Sequence, residues 1–328
     1  MSVLPIIDLA AFTEGDQEAR NAVAAVVDAA CRDIGFLLIE GHGVSAETLG
    51  RMHQDSAEFF AKPIVEKQRV AVPARADLGW KAQGGSYLAE TLAPGGDAVK
   101  VEDWKESFGM GAVHWPLDIS LQEQAFFETN VFPESPAEMR EVYEDYYGQM
   151  EQVAASILSV FGVALGIGDD YFEDKTNRHG SILAVHHYPA QDTPPVPGQL
   201  RAGAHTDFGA ITILHTGSNP GGLQVQDKNG NWQDVVPAYD QFVVNIGDLM
   251  AQWTNDRWVS TLHRVVNPAS SRAHLPRQSI TFFHQPNWHA LIECLPNCTE
   301  PENPTKYAPV TSGAHLELKL ARLRGLAA

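Results

Sequence analysis

The chain has 328 residues, 44% of them hydrophobic, and its 41 acidic against 23 basic side chains give a formal net charge of −18. This length allows a large core in one or two domains, and the acidic excess argues against nucleic acid or an anionic membrane as partner, since both bind clustered Lys and Arg. Because we find no signal peptide, no run of about 18 apolar residues and only three cysteines, we expect a cytoplasmic protein with reduced thiols.

The first half of the chain is mainly helical in pattern. Apolar residues recur at helical spacing in three stretches. Gly35 stands where the first helix should end, and Ser45 stands where an N-cap of the second is expected. The predicted elements are an extended strand in residues 1–9, helices at 18–34 and 46–61, a buried strand at 36–39, and the longest helix at 136–165.

Residues 70–116 lack a regular period. Gly84-Gly85 and Pro94-Gly95-Gly96 interrupt a segment that also contains Trp80, Tyr87, Trp104 and Trp115. Long irregular segments in compact proteins are often functional. The alternative is that this segment is an ordinary surface loop, anchored to the protein by its aromatic side chains.

Beyond residue 180 the pattern changes to short strands separated by turns. Asn229-Gly230 between two such strands is a strong hairpin signal. Many short antiparallel strands in one block predict a sandwich or a jelly roll, against which the long helix would pack. The predicted strands are 181–188, 211–214, 223–227, 232–236, 242–246, 259–266 and 278–283, and a terminal helix is predicted at 314–323.

The tripeptide His205-Thr206-Asp207 suggests a metal site. On a strand, the two-residue period would put the imidazole and the carboxylate on one face and Thr206 on the other. His263, in a later strand-like run, is the candidate third ligand. Two histidines and one carboxylate are typical of a mononuclear non-haem Fe(II) centre with open positions.

Arg277 and Ser279 form a second alternating pair, further along the chain. A guanidinium and a hydroxyl on one face suit a carboxylate. Each motif alone is weak, because a lone histidine in an apolar strand is usually a core residue and Arg277 by itself would usually be a surface charge. The interpretation as a metal site with a nearby carboxylate-binding pair therefore depends on the order of these motifs along one block of strands.

The same block resembles the isopenicillin N synthase-like family of 2-oxoglutarate- and Fe(II)-dependent oxygenases. The resemblance extends from the N-terminus through most of the chain. It rests on Leu4-Pro-Ile-Ile-Asp-Leu9, Gly35-Phe-Leu37, Gly41-His-Gly43, Glu58-Phe-Phe60, Asn245-Ile-Gly-Asp248, Trp253-Thr-Asn-Asp256 and Ser260-Thr-Leu-His-Arg-Val-Val-Asn267.

The resemblance implies an α+β fold with a double-stranded β-helix (jelly roll) core, in a single oxygenase domain over residues 1–328. Within it, residues 1–165 would be a mostly helical N-terminal region, 180–285 the jelly-roll core with the metal site, and 286–328 a C-terminal segment with a helix. Segments 80–110 and 314–324 would cover the mouth of the active site. Lys105-Glu-Ser-Phe108 is similar to the family's strand after the irregular segment.

The resemblance also implies an enzyme that uses Fe(II), 2-oxoglutarate and O2 and releases succinate and CO2. The substrate would be a small molecule, with hydroxylation as the leading reaction and desaturation or ring formation as less common ones. Fe(II) would be held by His205, Asp207 and His263, and 2-oxoglutarate by Arg277, Ser279 and Tyr188. Candidate substrate-pocket residues are Phe283, Asn245 and Trp80.

Two alternatives stay open. An Fe(II)-dependent oxidase or cyclase of the isopenicillin N synthase type would not use 2-oxoglutarate, and its R-x-S pair would hold a substrate carboxylate. A non-catalytic cupin-like binding protein is less favoured, because it predicts damage to the triad or to the R-x-S pair. Both motifs are intact.

Overall fold

The computed structural model describes residues 4–72, 78–84, 88, 102–116, 118–125, 127–191, 195–219 and 221–323. Gly85, Tyr87 and the Pro94-Gly95-Gly96 turn of the sequence prediction lie outside these residues. The helices of the described part are α1 (Leu9–Thr13), α2 (Gln17–Asp33), α3 (Ala46–Phe60), α4 (Ile64–Lys67), α5 (Met139–Leu165), α6 (Glu173–Thr176), α7 (Asp248–Trp253) and α8 (Ser312–Leu323). Its strands are β1 (Ile6–Asp8), β2 (Phe36–Glu40), β3 (Gly79–Lys81), β4 (Glu106–Met110), β5 (Ile182–Tyr188), β6 (Ala202–His205), β7 (Ile211–His215), β8 (Leu223–Gln226), β9 (Trp232–Asp234), β10 (Phe242–Ile246), β11 (His263–Val265), β12 (Arg277–His284), β13 (Leu291–Ile292) and β14 (Val310–Thr311).

Two sheets form the centre of the fold. The major sheet has the order β1-β2-β10-β7-β12-β5-β4-β3 and the minor sheet the order β6-β11-β8-β9. All neighbouring strands in them are antiparallel except β1 and β2. Leu38 and Val243 of the major sheet pack in one buried cluster with Leu223 and Val225 of the minor sheet. The sheets therefore face each other, which confirms the predicted jelly roll.

Helices cover the other face of the major sheet. Tyr147 of α5 meets Phe282 of β12 edge to face at 5.2 Å between ring centroids, and Tyr143 meets Phe108 of β4 at 5.6 Å. Length and hydropathy alone would let α5 cross a membrane, but 50% of its most apolar window is buried in the structure. Its buried side chains pack as those of a core helix, as predicted.

The predicted helix ends agree closely with the structure, and the strand ends agree less well. Ser45 caps α3 by accepting the Thr48 amide proton at 3.0 Å, and Gly166 ends α5 with φ of 68°. The N-terminal strand stops at Asp8, whose carboxylate caps α1 by accepting the Ala10 amide proton at 3.0 Å. The pattern in residues 1–9 did not reveal this short helix, because five residues are too few to show a helical period.

Gly35 connects α2 to β2, a strand of the major sheet. Its φ is +64°, its amide donates to the Ala30 carbonyl at 3.0 Å, and a Cβ placed there would lie 2.0 Å from the Val259 carbonyl oxygen. That contact is with backbone, which cannot rotate away. The chain therefore requires glycine here for both its conformation and its close approach.

We expect Gly35→Ala to lower the free energy of unfolding by more than about 1 kcal/mol. Gly148→Ala within α5 is the matched control, because a Cβ there meets no described atom within 4 Å. The control should leave stability unchanged or raise it by about 0.5–1 kcal/mol. Urea unfolding of both variants tests this, and a Gly35→Ala protein as stable as the wild type would contradict it.

Candidate metal centre and adjoining pocket

The minor sheet brings the two candidate metal-binding histidines together. His205 is the last residue of β6 and His263 is the first of β11, and the antiparallel register sets them directly opposite each other. Opposite residues in such a ladder have Cα atoms about 4.5–5.5 Å apart, so their side chains meet. The ring centroids are 4.3 Å apart.

Asp207 completes the cluster from the loop after β6, not from the strand as the sequence suggested. Its Oδ1 lies 3.7 Å from Nε2 of His205 and 3.7 Å from Nε2 of His263. The three donor atoms are within 4.8 Å of one another, the one such His/Asp group found among the described residues. The Nδ1–H of His205 donates to Gly203 O at 2.7 Å and that of His263 to Thr261 O at 3.1 Å, which leaves both Nε2 lone pairs free for a metal.

The protonation states also suit a divalent metal. Burial, and next the neighbouring His263, lower the pKa of His205 to about 3. Burial acts to raise the pKa of Asp207, but the two histidines and hydrogen bonds from Thr212 and Asn245 hold that pKa below its usual value. The Asn245 amide donates to Asp207 Oδ2 at 2.8 Å. His205 as a neutral imidazole and Asp207 as a carboxylate are in the form that metal binding requires.

The cluster opens into a cavity of about 420 Å³ between the two sheets. This volume is within the range of small-molecule sites. Its lining includes all three residues of the triad and most of the other predicted site residues, namely Arg277, Ser279, Tyr188, Asn245 and Phe283.

Arg277 is a buried cation on the wall of this cavity. It is only 2% exposed, and its Nε and Nη1 have no hydrogen-bond partner among the described residues. Its Cζ lies 4.9 Å from the ring centroid of Tyr188, its register partner on β5. A buried guanidinium with free donors needs an anion, and a carboxylate of 2-oxoglutarate fits that need, with the Ser279 side chain on the same wall.

Trp80 is a correction to the predicted substrate pocket. Its neighbours Gly79 and Lys81 line the cavity, but the two-residue period of β3 turns Trp80 to the other face. There its Nε1–H donates to Glu106 Oε2 at 2.7 Å, and it is 6% exposed in the helix-side core. Aromatic content in an irregular segment did not reveal which way this side chain points.

Two adjacent histidines of β5 separate in the same way. His186 lines the cavity, whereas its neighbour His187 stacks on Phe60 at 5.0 Å on the helix side. Leu316 and Leu320 of α8 also line the cavity, as expected of a helix near the active-site mouth. Sequence reasoning did not single out Lys105, which lines the cavity too. The strand period puts Lys105 and Ser107 on one face, but it does not show which face meets the cavity.

Comparisons with known proteins agree with this geometry. Residues 4–135 match the family model described as the N-terminal region of a non-haem dioxygenase in morphine synthesis, and residues 179–286 match the 2OG-Fe(II) oxygenase superfamily. The chain is 33% identical to Validamycin A dioxygenase of Streptomyces hygroscopicus subsp. limoneus, over 85% of this chain and 76% of the relative. It belongs to the isopenicillin N synthase-like 2-oxoglutarate- and Fe(II)-dependent oxygenases.

Other members support the same assignment. The 2-oxoglutarate-Fe(II) type oxidoreductase hxnY of Emericella nidulans is 32% identical over 94% of this chain and 86% of its own length. The crystal structure of a full-length Neurospora crassa protein in complex with alpha-KG and thymine has a TM-score of 0.84 and 30% identity, covering 98% of this chain and 96% of that one. This oxygenase is therefore an oxidoreductase whose cofactor is Fe(II) and whose cosubstrate is 2-oxoglutarate, and the alternative without 2-oxoglutarate has no support.

The buried state of His205 predicts how the metal-free oxygenase responds to acid. The ordinary pKa of 6.5 applies to this ring in the unfolded chain, whereas in the folded protein the pKa is about 3. Below the unfolded value only the unfolded chain binds the proton, so the free energy of unfolding falls as the pH falls. From about pH 7 to about pH 5 the wild type should lose on the order of 2 kcal/mol more than His205→Gln. Urea unfolding measures both losses, and equal losses would contradict a neutral, buried ring.

Proposed function

We propose that His205, Asp207 and His263 hold one Fe(II) ion, and that Arg277 and Ser279 hold the 5-carboxylate of 2-oxoglutarate. One observation carries the proposal: three metal donors and a buried guanidinium with free N–H groups share one cavity. When bound, the ion and cosubstrate supply the oxidising chemistry, in which 2-oxoglutarate and O2 yield succinate and CO2 as a C–H bond of the substrate is oxidised.

The protein's own part is to bind, orient and exclude water. Arg277 can grip a carboxylate through two parallel N–H···O bonds, with the face of Tyr188 beside it. The side-chain amide of Asn245 donates a hydrogen bond to Oδ2 of Asp207, while Oδ1 of Asp207 faces the two histidines. Phe283, together with leucines of α8, gives the substrate end of the cavity an apolar wall.

The proposed substrate is a small molecule, and hydroxylation is the proposed reaction. The cavity volume supports this, as do relatives such as the Neurospora crassa protein with thymine bound and Validamycin A dioxygenase. Relatives from Streptomyces and from fungi, among them Clavatol oxidase of Penicillium crustosum, favour a role in specialised metabolism.

We further propose that residues 1–328 act as one oxygenase domain in the cytoplasm, without nucleic acid or membrane partners. A single buried cluster contains N-terminal Phe12, Ile213 of the jelly roll and C-terminal Leu295, which supports one unit. The three free thiols suit a reducing compartment. The net charge of −18 disfavours polyanionic partners.

Anaerobic titration with Fe(II) and then 2-oxoglutarate tests the assignment of ligands. His263→Ala should lose stoichiometric Fe(II) binding, because it removes one of three donors. Arg277→Ala should still bind Fe(II) but bind 2-oxoglutarate at least about 30-fold more weakly, since a buried charge partner contributes about 2–5 kcal/mol. Arg264→Gln is the matched control: Arg264 follows His263 on β11 but turns away, its Cζ lying 4.0 Å from the Trp232 ring centroid, and the variant should bind both.

Retention of tight Fe(II) binding by His263→Ala would overturn the metal site. Retention of 2-oxoglutarate affinity by Arg277→Ala would overturn the cosubstrate site. A succinate-release screen over amino acids, peptides and aromatic metabolites then tests turnover. Product formed without succinate would restore the oxidase alternative.

A further inference from the structure

Strand β4 presents a polar face to the cavity. Ser107 and Gly109 line the cavity together with Lys105, which directly precedes the strand. The alternate residues turn away, since Glu106 pairs with Lys67 on the helix side. The ammonium group of Lys105 is thus placed on the cavity wall by the two-residue period of the strand.

Lys105 is a buried cation without a carboxylate partner among the described residues. It is 9% exposed, and its ammonium group has no ion-pair partner among the described residues. Lys67 in the same protein shows the usual solution: it is 8% exposed and lies 2.7 Å from a carboxylate oxygen of Glu106. Lysine is almost never buried unless it is paired. Because no described carboxylate pairs with Lys105 and the residue lines the cavity, we expect a bound anion as its partner.

Charge balance favours an anion other than the cosubstrate. With both bound, the charges of Fe(II) and Arg277 would be balanced by Asp207 and the two carboxylates of 2-oxoglutarate, and the charge of Lys105 would remain without a counter-charge. Strand β5 also lies between β4 and β12 in the major sheet. The backbones that carry Lys105 and Arg277 are therefore separated by about 10 Å.

Neighbouring polar groups fit an oxyanion at Lys105. His186 pairs in register with Ser107, and its Nδ1 is buried without a hydrogen-bond partner among the described residues. Burial, and next the ammonium of Lys105, hold the pKa of His186 well below its usual value. The neutral ring cannot serve as counter-ion, but it can donate a hydrogen bond to one. The side chain of Ser107, which forms no described hydrogen bond, lies on the same wall.

We propose that Lys105, Ser107 and His186 bind a carboxylate of the organic substrate, so that this oxygenase acts on small carboxylic acids with an apolar body. This inference rests on the function proposed above. The apolar body would lie against the hydrophobic part of the cavity, which is formed by Leu88, Phe208, Phe283, Leu316 and Leu320.

The test compares acids with their uncharged counterparts. The probes are phenylacetate, cinnamate, hexanoate and decanoate, each paired with its own primary amide. Binding to the anaerobic protein loaded with Fe(II) and 2-oxoglutarate is measured by calorimetry, and succinate release is measured separately in air. The proteins are the wild type, Lys105→Met, Lys105→Arg and the surface control Lys228→Met, whose side chain is 74% exposed.

We expect the wild type to bind at least one acid at least about 30-fold more tightly than its amide, as a desolvated charge pair predicts. Lys105→Met should lose this preference, because it removes the charge and keeps an unbranched side chain. Lys105→Arg should retain most of it, and Lys228→Met all of it. Succinate release should follow the same order.

Three results would overturn the subsite: a wild type that binds no acid or binds acid and amide equally, a Lys105→Met protein that keeps the preference, or one that loses 2-oxoglutarate instead. The last result would make Lys105 part of the cosubstrate site. The visible absorption of the Fe(II)–2-oxoglutarate chelate is recorded first in every protein. Its absence from the wild type would refute the function proposed above, whereas its presence with no acid preference would refute the carboxylate subsite alone.

Discussion

The pairing of β6 with β11 is the interaction on which the active site depends. It sets His205 opposite His263 and brings two imidazoles from distant parts of the chain to 4.3 Å between ring centroids. Asp207 joins them because it follows β6 by two residues. Main-chain carbonyls then fix both Nδ1 protons. The three proposed ligands therefore depend on the register of one short ladder, in which a slip by one residue would turn a histidine to the opposite face.

Buried charge is the second constraint. A folded chain keeps ionised groups inside only when something compensates for their lost hydration. Asp207 has hydrogen bonds from Thr212 and Asn245 and two histidines beside it. Arg277 and Lys105 have no carboxylate partner among the described residues, and both line the same cavity. As proposed, these two cations, on strands separated by β5, would mark a cosubstrate end and a substrate end of the cavity.

The major sheet lines the cavity with one face and packs against the helices with the other. Residues on alternate positions of β4, β5 and β12 face either the cavity or the helices. On β5, for example, His186 lines the cavity and His187 stacks on Phe60, and on β12 Phe282 packs on Tyr147 of α5. Packing against the helices thus holds the strands in place, and the polar side chains on the opposite face of the sheet remain available for ligands.

The sequence by itself determined the family, the fold class and the ends of the long helices, and it predicted the triad and Arg277–Ser279 as site residues. These features depend on local spacing, capping residues and motif order, which are present in the linear chain. The tertiary structure decided which way single side chains turn: Trp80 faces the core, and Lys105 faces the cavity. Orientation in a short strand depends on register with its neighbours, and charge compensation depends on groups far away in sequence, so neither is visible before the sheets have formed.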